Sequence, residues 1–437
     1  MEKAKKILEK LENAGYEGYF VGGCVRDLLL NKKPKDFDIA TNAFPETIEE
    51  IFREYSVLKT GIKHGTVTVM DEGEAFEVTT YRRDGVYSDH RRPDRVTFTG
   101  SIQEDLARRD FTINAMAYNA EGKLLDPYGG KKDLKSGVLR CVGSASLRFE
   151  EDALRILRLL RFASELGFEI EKKTALAAYE KKNLLGKISK ERVFNECTKI
   201  WCGKNALEIL TLYIDILGVV LPELLPMKGF EQKNPHHKYD VLHHTAVVVG
   251  AIAPRPHLRW AALLHDAGKP DCCTIDGEGI GHFYGHAKES EKIAEKVLKR
   301  LNGGRKLSRQ ILLLIRYHDS RIEADTRVVK EWLNRIGKES LEELLLLKKA
   351  DLAGQNSLGG EKEQKLEQVH AVMEDILNNG ECYQLKDLQI DGNDLIENNI
   401  AGGVQIGELL QFALKKVIEG EVINEKEALL NQLRQRR

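Results

Sequence analysis

The chain has 437 residues, 42% of them hydrophobic and 31% charged, with 67 Lys and Arg against 68 Asp and Glu. That length exceeds what one hydrophobic core supports, so roughly two to four domains are expected. A formal net charge of −1 excludes nucleic-acid binding through a global cationic field and leaves it to local basic patches.

The first eight residues, MEKAKKIL, read as an amphipathic helix and not as a targeting signal. The apolar run Tyr19-Phe20-Val21 reads as a buried strand, and Gly22-Gly23 allows a sharp turn into the next helix. The first-turn N–H groups of that helix are free to hold phosphate, and Arg26 adds a planar cationic fork. Asp36 and Asp38 stand two apart, so on a strand both project to one face while Phe37 points to the core. Two hard oxygen donors on one face suit one or two Mg²⁺ ions, as nucleotidyl transfer requires. A Gly-Gly turn or an Asp-x-Asp pair alone is commonplace; their order, strand to glycines to basic helix to paired carboxylates, is what points to a nucleotide site.

Residues 66–70 and 75–81 alternate as two strands of a hairpin. The polar, Gly- and Pro-punctuated block 84–94 reads either as a surface loop or as an element that closes over substrate. Arg108 and Arg109 then precede a small-residue helix expected to pack close to the sheet. From about Phe149 onward the periodicity is helical, with turn residues clustered at 226–235, Gly303-Gly304 and 356–360. On the helix expected over 151–161, Asp152 and Arg155 are i,i+3 neighbours, and Arg158 and Arg161 continue the stripe. Such a stripe is either an exposed, salt-bridged face or a base reader. A carboxylate accepts from an exocyclic amine and a guanidinium donates to a ring acceptor, a pattern that cytosine and adenine satisfy and guanine and uracil do not. Between Lys131 and Arg161, eight Lys and Arg face four Asp and Glu, where RNA or triphosphate contacts are expected. The longest apolar stretch, about residues 209–225, is broken by Asp215 and Pro222, so no membrane span is expected. Seven cysteines without CxxC spacing fit reduced thiols in the cytoplasm, not a disulfide framework or a thiolate zinc site.

The ordered blocks GGCVRDLLL, KDFDIAT, DGVYSDHRRPDRVTF, RRDFTINAMA, LLDPYGG and EEDALRILRLLRF resemble the class II tRNA nucleotidyltransferases, the CCA-adding enzymes and their bacterial poly(A) polymerase relatives. The resemblance implies that Asp36 and Asp38 hold catalytic Mg²⁺, with Glu77 a third carboxylate. It implies that Gly22, Gly23, Arg26 and Arg109 meet the incoming nucleotide, that Asp152 and Arg155 template the base, and that Arg158 and Arg161 face its phosphate or sugar. The implied reaction is template-independent addition of CCA to tRNA 3′ ends from CTP and ATP, releasing pyrophosphate. A-only addition, or poly(A) synthesis, is the alternative within the family.

Further on, His244, the His265-Asp266 doublet and Asp351 match in order the H…HD…D ligand set of HD-domain phosphohydrolases. His286 and His318 match additional positions of that superfamily. Imidazole and carboxylate donors together suit Mg²⁺ or a divalent transition metal. The resemblance implies a second, phosphohydrolase or phosphodiesterase site; a metal phosphohydrolase with an RNA-binding head is the alternative of another class. The region from Asp387 resembles the tRNA-grasping tail of CCA-adding enzymes. The expected plan is α+β: a polymerase-β-like nucleotidyltransferase head over 1–140, then an elongated all-helical neck (141–230), an HD-containing body (231–355) and a tRNA-binding tail (356–437).

Overall fold

The computed structural model describes the chain except residues 60, 63–64, 86–95, 235–237, 356–358 and 436–437. It divides into two compact units, Met1–Leu225 and Pro226–Arg437. A sheet-bearing first unit and a helical second unit make the α+β class expected. The expectation of a closing element falls on residues 86–95 and lies outside the described residues, as do the terminal Arg436 and Arg437.

The first unit opens with α1 (Glu2–Asn13), β1 (Gly18–Val21), α2 (Gly23–Leu29), β2 (Asp38–Thr41), α3 (Pro45–Ile51), β3 (Ser56–Leu58), β4 (Thr66–Asp71) and β5 (Glu74–Thr80). Next come β6 (Arg82–Asp84), β7 (Val96–Phe98), α4 (Ile102–Ala107), β8 (Ala117–Tyr118) and β9 (Leu124–Leu125). Its remainder is α5 (Gly130–Ser136), β10 (Val138–Leu139), α6 (Ala145–Glu151), α7 (Leu154–Leu166), β11 (Glu169–Ile170), α8 (Lys172–Lys181), α9 (Lys190–Trp201), α10 (Ala206–Leu212) and α11 (Ile214–Leu217). Among the described residues, seven strands form one sheet in the order β3-β4-β5-β2-β1-β8-β9. All neighbours are antiparallel except β2 and β5. The hairpin expected from alternation forms between β4 and β5, turning through Glu72 (φ 44) and Gly73 (φ 85). Two left-handed residues in a two-residue turn match the twist of the flanking strands. Helix α1 buries Ala4, Ile7, Leu8 and Leu11 and lies on β1, where Gly18 leaves room for Leu8.

The helix expected after Arg109 is absent: Thr112–Asn114 make a single 3₁₀ turn and the chain continues into strand β8, which pairs with β1 and β9. The β-branched Thr112 and Ile113 disfavour a helix. Thr112 is also tied down, its N–H donating to Arg140 O (2.9 Å) and its hydroxyl to Asp133 (2.7 Å). The start of α5 packs directly on this turn, and a Cβ at Gly130 would lie 2.2 Å from the Thr112 carbonyl oxygen.

The second unit comprises α12 (Val241–Ala251), α13 (Pro256–Leu264), α14 (Lys269–Cys272), β12 (Thr274–Ile275), β13 (Gly281–His282), α15 (His286–Arg300) and α16 (Arg305–Tyr317). It continues with α17 (Thr326–Ile336), α18 (Lys338–Ala353), α19 (Gly359–Asn378), α20 (Gly392–Glu397), α21 (Gln405–Ile418) and α22 (Lys426–Arg434). Helices α12, α13, α16 and α18 pack together around Val248, Trp260, Leu264, Leu314 and Leu344, all buried. A separate cluster of Leu388, Ile390, Leu395, Leu414, Leu429 and Leu433 gathers α20, α21 and α22. Among the described residues no helix is long and apolar enough to cross a membrane.

Because the atoms facing Gly130 are backbone, Gly130→Ala is expected to destabilise the first unit by about 1–3 kcal/mol. Gly186→Ala, whose Cβ meets open space, is expected to stay within about 0.5 kcal/mol of the parent in urea denaturation. Equal midpoints for the two variants would contradict the close packing of α5 on the 3₁₀ turn.

Candidate active site and a second metal-ligand cluster

Strand pairing builds the floor of the first site. Asp38, the first residue of β2, stands opposite Val21 of β1 and opposite Glu77 of β5. Asp36 and Phe37 lie ahead of the strand, which corrects the expectation that the two aspartates share a strand face. The reason is local: β1 ends at Val21, and Gly22 turns away into α2, leaving Asp36 and Phe37 no strand to pair with. Phe37 packs instead on Phe20, ring centroids 5.3 Å apart. Gly22 has φ 75, and a Cβ there would stand 2.9 Å from Arg109 Nη1 and 3.6 Å from Asp38 Oδ2. The turn therefore requires glycine both for its backbone and for the approach of these two side chains.

A cavity of about 640 Å³ opens over this floor. It brings together Gly22, Gly23, Arg26, Asp36, Asp38, Arg109, Asp152, Arg155, Arg158 and Arg161, residues the sequence scatters over 140 positions, with exposed Lys35 and Lys199 at its edge. Glu77 is exposed beside Asp38 on the neighbouring strand and does not itself line the cavity. Burial pushes the Asp38 carboxyl above the usual range; Arg109 opposes that, while Asp36 and Glu77 reinforce it. A carboxylate raised by burial, with two more carboxylates beside it, is a donor set that a divalent cation relieves, so the residues present fit Mg²⁺.

The residues expected to read the base are arranged differently from the single helix face expected. Helix α6 ends at Glu151, Asp152 is extended (φ −134, ψ 103), and α7 begins at Leu154. Asp152 breaks the helix because its side chain competes for the free donors of the next one: Oδ1 accepts from Leu154 N at 3.0 Å. Oδ2 accepts from Arg192 Nη2 of α9 at 3.1 Å. Nor are the arginines an exposed stripe. Arg155 and Arg161 are 9% and 8% exposed. Arg155 donates to Glu151 Oε2 (2.6 Å) and to the carbonyls of Arg148 (3.2 Å) and Arg108 (3.0 Å). Arg158 grips Asp110 Oδ2 through Nε (2.8 Å) and Nη2 (2.5 Å), and Arg161 donates to Glu196 of α9 (3.0 Å). Burial would raise Asp110, yet Arg158 brings it down to about 2. Arg26 donates to Asp27 and to Asn114 Oδ1 (2.9 Å). The guanidinium carbons of Arg26, Arg158 and Arg161 stand 5.3, 5.4 and 4.3 Å from the centre of the Phe162 ring, a cation–π platform in the cleft wall. Sequence reasoning missed Asp110, Phe162, Arg192 and Glu196. The spacing of Arg192 and Glu196, i and i+4 on α9, was the one local sign that both face the same way.

The second unit gathers its expected ligands as well. His244 of α12, His265 at the end of α13, Asp266 and Asp351 of α18 have donor atoms within 4.8 Å of one another, as do Asp266, His286 and His318. His244 Nε2 is 2.9 Å from Asp351 Oδ1 and 3.4 Å from Asp266 Oδ2, with His265 Nε2 3.3 Å from Asp266 Oδ2. His286 Nε2 and His318 Nε2 approach the other oxygen, Asp266 Oδ1, at 3.4 and 3.7 Å. The Nδ1 atoms of His265, His286 and His318 bond the carbonyls of Ala262, Phe283 and Ile315 at 2.8, 2.8 and 2.7 Å, which aims each Nε2 inward. Against the burial that would lower it, Asp266 and Asp351 push the His265 imidazole up to about 10. Lys269 Nζ lies 2.7 Å from Asp266 Oδ2 and donates to Gln232 (2.8 Å). Buried imidazoles converging on two carboxylates form a group able to hold a metal ion.

Comparison with known proteins agrees with the first unit's architecture. Residues 18–140 match the poly A polymerase head domain, 167–227 the probable RNA and SrmB-binding site of polymerase A, and 279–433 the putative tRNA nucleotidyltransferase domain 2. The CCA-adding enzyme of Lactobacillus delbrueckii subsp. bulgaricus is 38% identical over 427 residues, covering 98% of this chain and 96% of that one. That of Leuconostoc mesenteroides subsp. mesenteroides is 33% identical over 430 residues, covering 98% and 94%. The crystal structure of the Bacillus stearothermophilus CCA-adding enzyme in complex with CTP superposes with a TM-score of 0.73 at 30% identity, covering 100% of this chain and 97% of that one. The Thermotoga maritima CCA-adding enzyme complexed with tRNA shares the fold, with a TM-score of 0.64 at 24% identity over 100% of this chain and 95% of that one. With its cleft, its carboxylates and its full-length relatives in agreement, the chain belongs to the CCA-adding enzymes.

Proposed function

We propose that Asp38, crowded by Asp36 and Glu77 at the floor of an arginine-lined cleft, is the centre at which this tRNA nucleotidyltransferase adds C, C and A to tRNA 3′ ends from CTP and ATP. That crowding is the observation that carries the reading. Asp36 and Asp38, with Glu77 alongside, would hold Mg²⁺, which when bound activates the attacking 3′-hydroxyl and neutralises the departing pyrophosphate. Gly22 and Gly23 leave room for the triphosphate, and Arg26 and Arg109 supply cationic donors to it. Asp152 accepts the exocyclic amine of cytosine or adenine and Arg155 donates to the adjacent ring nitrogen. Guanine and uracil offer a carbonyl to Asp152 and an N–H to Arg155, so both contacts become repulsive. Arg192 and the Leu154 amide each use one oxygen of Asp152, which holds the carboxylate oriented without filling it. Arg158 and Arg161, fixed by Asp110 and Glu196, meet the sugar or a phosphate. The seven free cysteines suit the cytoplasm, where tRNA is processed.

The inward-facing histidines favour a second activity in the second unit. His244, His265, Asp266 and Asp351 would hold Mg²⁺ or a divalent transition metal, with His286 and His318 beside Asp266. The reaction that suits such a group is hydrolysis of phosphomonoesters or 2′,3′-cyclic phosphates.

With tRNA lacking its last three nucleotides, CTP and ATP together are expected to give ordered C, C and A, and GTP or UTP almost nothing. Homopolymer tails on unstructured RNA would move the protein to the poly(A) polymerases, and addition of A alone to the A-adding subtype. Asp38→Ala should cost about a thousandfold or more, the several kcal/mol that metal ligation contributes. Arg192→Ala is expected to narrow the preference for CTP over UTP by about tenfold, the worth of one charge-assisted hydrogen bond, with Arg192→Lys keeping part of it; an unchanged ratio in Arg192→Ala would remove Arg192 from base selection. For the second site, His265→Ala should abolish any phosphohydrolase activity while CCA addition continues, and, in an Asp38→Ala background that removes the first site's metal, it should abolish the remaining metal binding by calorimetry. Metal binding that survives in the double variant at the level of Asp38→Ala alone would refute the assignment.

A further inference from the structure

Between Lys296 and Arg309 the chain holds six Lys and Arg and no Asp or Glu, although over the whole sequence 67 cations meet 68 anions. The segment is the junction of α15 and α16. Its backbone is firmly seated: Val297, Leu298, Leu301 and Ile311 are buried, and Gly303 N–H returns to Leu298 O at 2.9 Å. The turn itself uses Asn302 (φ 57) and Gly304 (φ 75) to reverse direction within four residues. The cations are therefore presented on a rigid tip. Lys296, Lys299, Arg305, Lys306 and Arg309 are exposed. Among the described residues no carboxylate lies within 4.0 Å of the Lys299, Arg305, Lys306 or Arg309 side chain. Just outside the tip the pattern reverts to pairing: Lys292 with Glu289 at 2.6 Å, and Arg316 with Glu291 at 2.5 Å.

Helix electrostatics sharpens the contrast. Lys299 closes α15 and complements the negative end of its dipole. Arg305 and Lys306 occupy the first turn of α16, which contains no acidic residue, so they face the positive end of that dipole. A cation there costs about 0.3–1 kcal/mol. Folding gains nothing from this placement, and a local rule broken without compensation in the fold points to a ligand that supplies the missing anions.

We propose that the α15–α16 tip is a docking point for the phosphate backbone of duplex RNA, engaged by Lys299, Arg305, Lys306 and Arg309. The site lies in the second unit and is separate from both metal-ligand groups; only the identity of the RNA as tRNA rests on the function proposed above. Side chains spread over the ends of two helices suit a row of phosphates. The tip carries no exposed aromatic or large aliphatic wedge of the kind an anionic membrane surface requires.

The test compares the full chain with a Lys299→Gln/Arg305→Gln/Lys306→Gln/Arg309→Gln variant, using tRNA lacking CCA and a salt titration of binding. The expected result is a shallower dependence of log affinity on log salt, by about 3.6 for four lost phosphate contacts, and affinity about tenfold or more weaker at low salt. The KM for tRNA should rise while kcat at saturating tRNA and the KM for CTP stay unchanged. If both slope and affinity match the parent, or if the variant loses only binding to vesicles of phosphatidylserine, the proposal is overturned while CCA addition stands. Arg305→Gln/Lys306→Gln serves as the second variant, because relief of the dipole should hold or raise its melting temperature; it should lose about half of the slope change, and a slope equal to the parent's would again overturn the proposal.

Discussion

Everything in the first unit depends on where strand β1 stops. Val21 is its last residue, and the partner of Val21 across the antiparallel ladder is Asp38. On the other side of β2, the parallel strand β5 sets Glu77 at the same level. The ladder thus places two carboxylates side by side at the sheet's end, and the Gly22 turn opens the space above them. A sheet would ordinarily avoid opposing like charges across neighbouring strands. Here burial of Asp38 lifts its carboxyl despite an arginine nearby, and the retained repulsion from Asp36 and Glu77 adds to the rise. Strain of this kind persists where a bound cation repays it.

The walls of the cleft follow the opposite rule. Nearly every cation in it already has an anion: Arg158 has Asp110, Arg161 has Glu196, Arg155 has Glu151, Arg109 has Asp105. A buried guanidinium stripped of its partner would cost several kcal/mol, so these pairs hold the arginines in one arrangement before any nucleotide arrives. Pairing also limits what each arginine can offer. A guanidinium with five N–H donors can meet a carboxylate and still present donors to substrate, which a lysine ammonium fixed in the same way does less well. The concentration of arginine over lysine along α7 follows from that requirement. Asp152 obeys the same logic with the sign reversed, since each of its oxygens keeps a free lone pair after serving Arg192 or the Leu154 amide.

The parts of this architecture carried by short-range pattern were legible in the sequence. Alternation announced β4 and β5, the glycines marked the turn at 22, and apolar spacing marked α1 and α7. Features that depend on partners far along the chain were not. Arg192 meets Asp152 across 40 residues and Arg158 meets Asp110 across 48, and no spacing encodes either contact. The break at Asp152 was invisible for another reason. Helical periodicity continues through it, because α6 and α7 are both helical and the interruption arises from a single side chain capping the following turn. The absent helix after Arg109 failed on tertiary grounds, its residues being held by Asp133 and by the close approach of Gly130.

The second unit reaches a metal-ready geometry by a different route. No strand ladder brings its ligands together; five helices do, and backbone carbonyls one turn back hold the imidazoles of His265, His286 and His318. Asp266 is the pivot. Its two oxygens face different histidine sets, and a lysine sits against one of them. The raised His265 imidazole and Lys269 both lie against the two carboxylates, in a region where water has little access. His265 would have to be neutral to ligate a divalent cation, so ligation there would be coupled to proton release. The two sites therefore differ in their electrostatics: strand register leaves the Asp38 carboxyl raised by burial, whereas helix packing surrounds Asp266 and Asp351 with imidazoles and a lysine that hold them well below the usual carboxylate range.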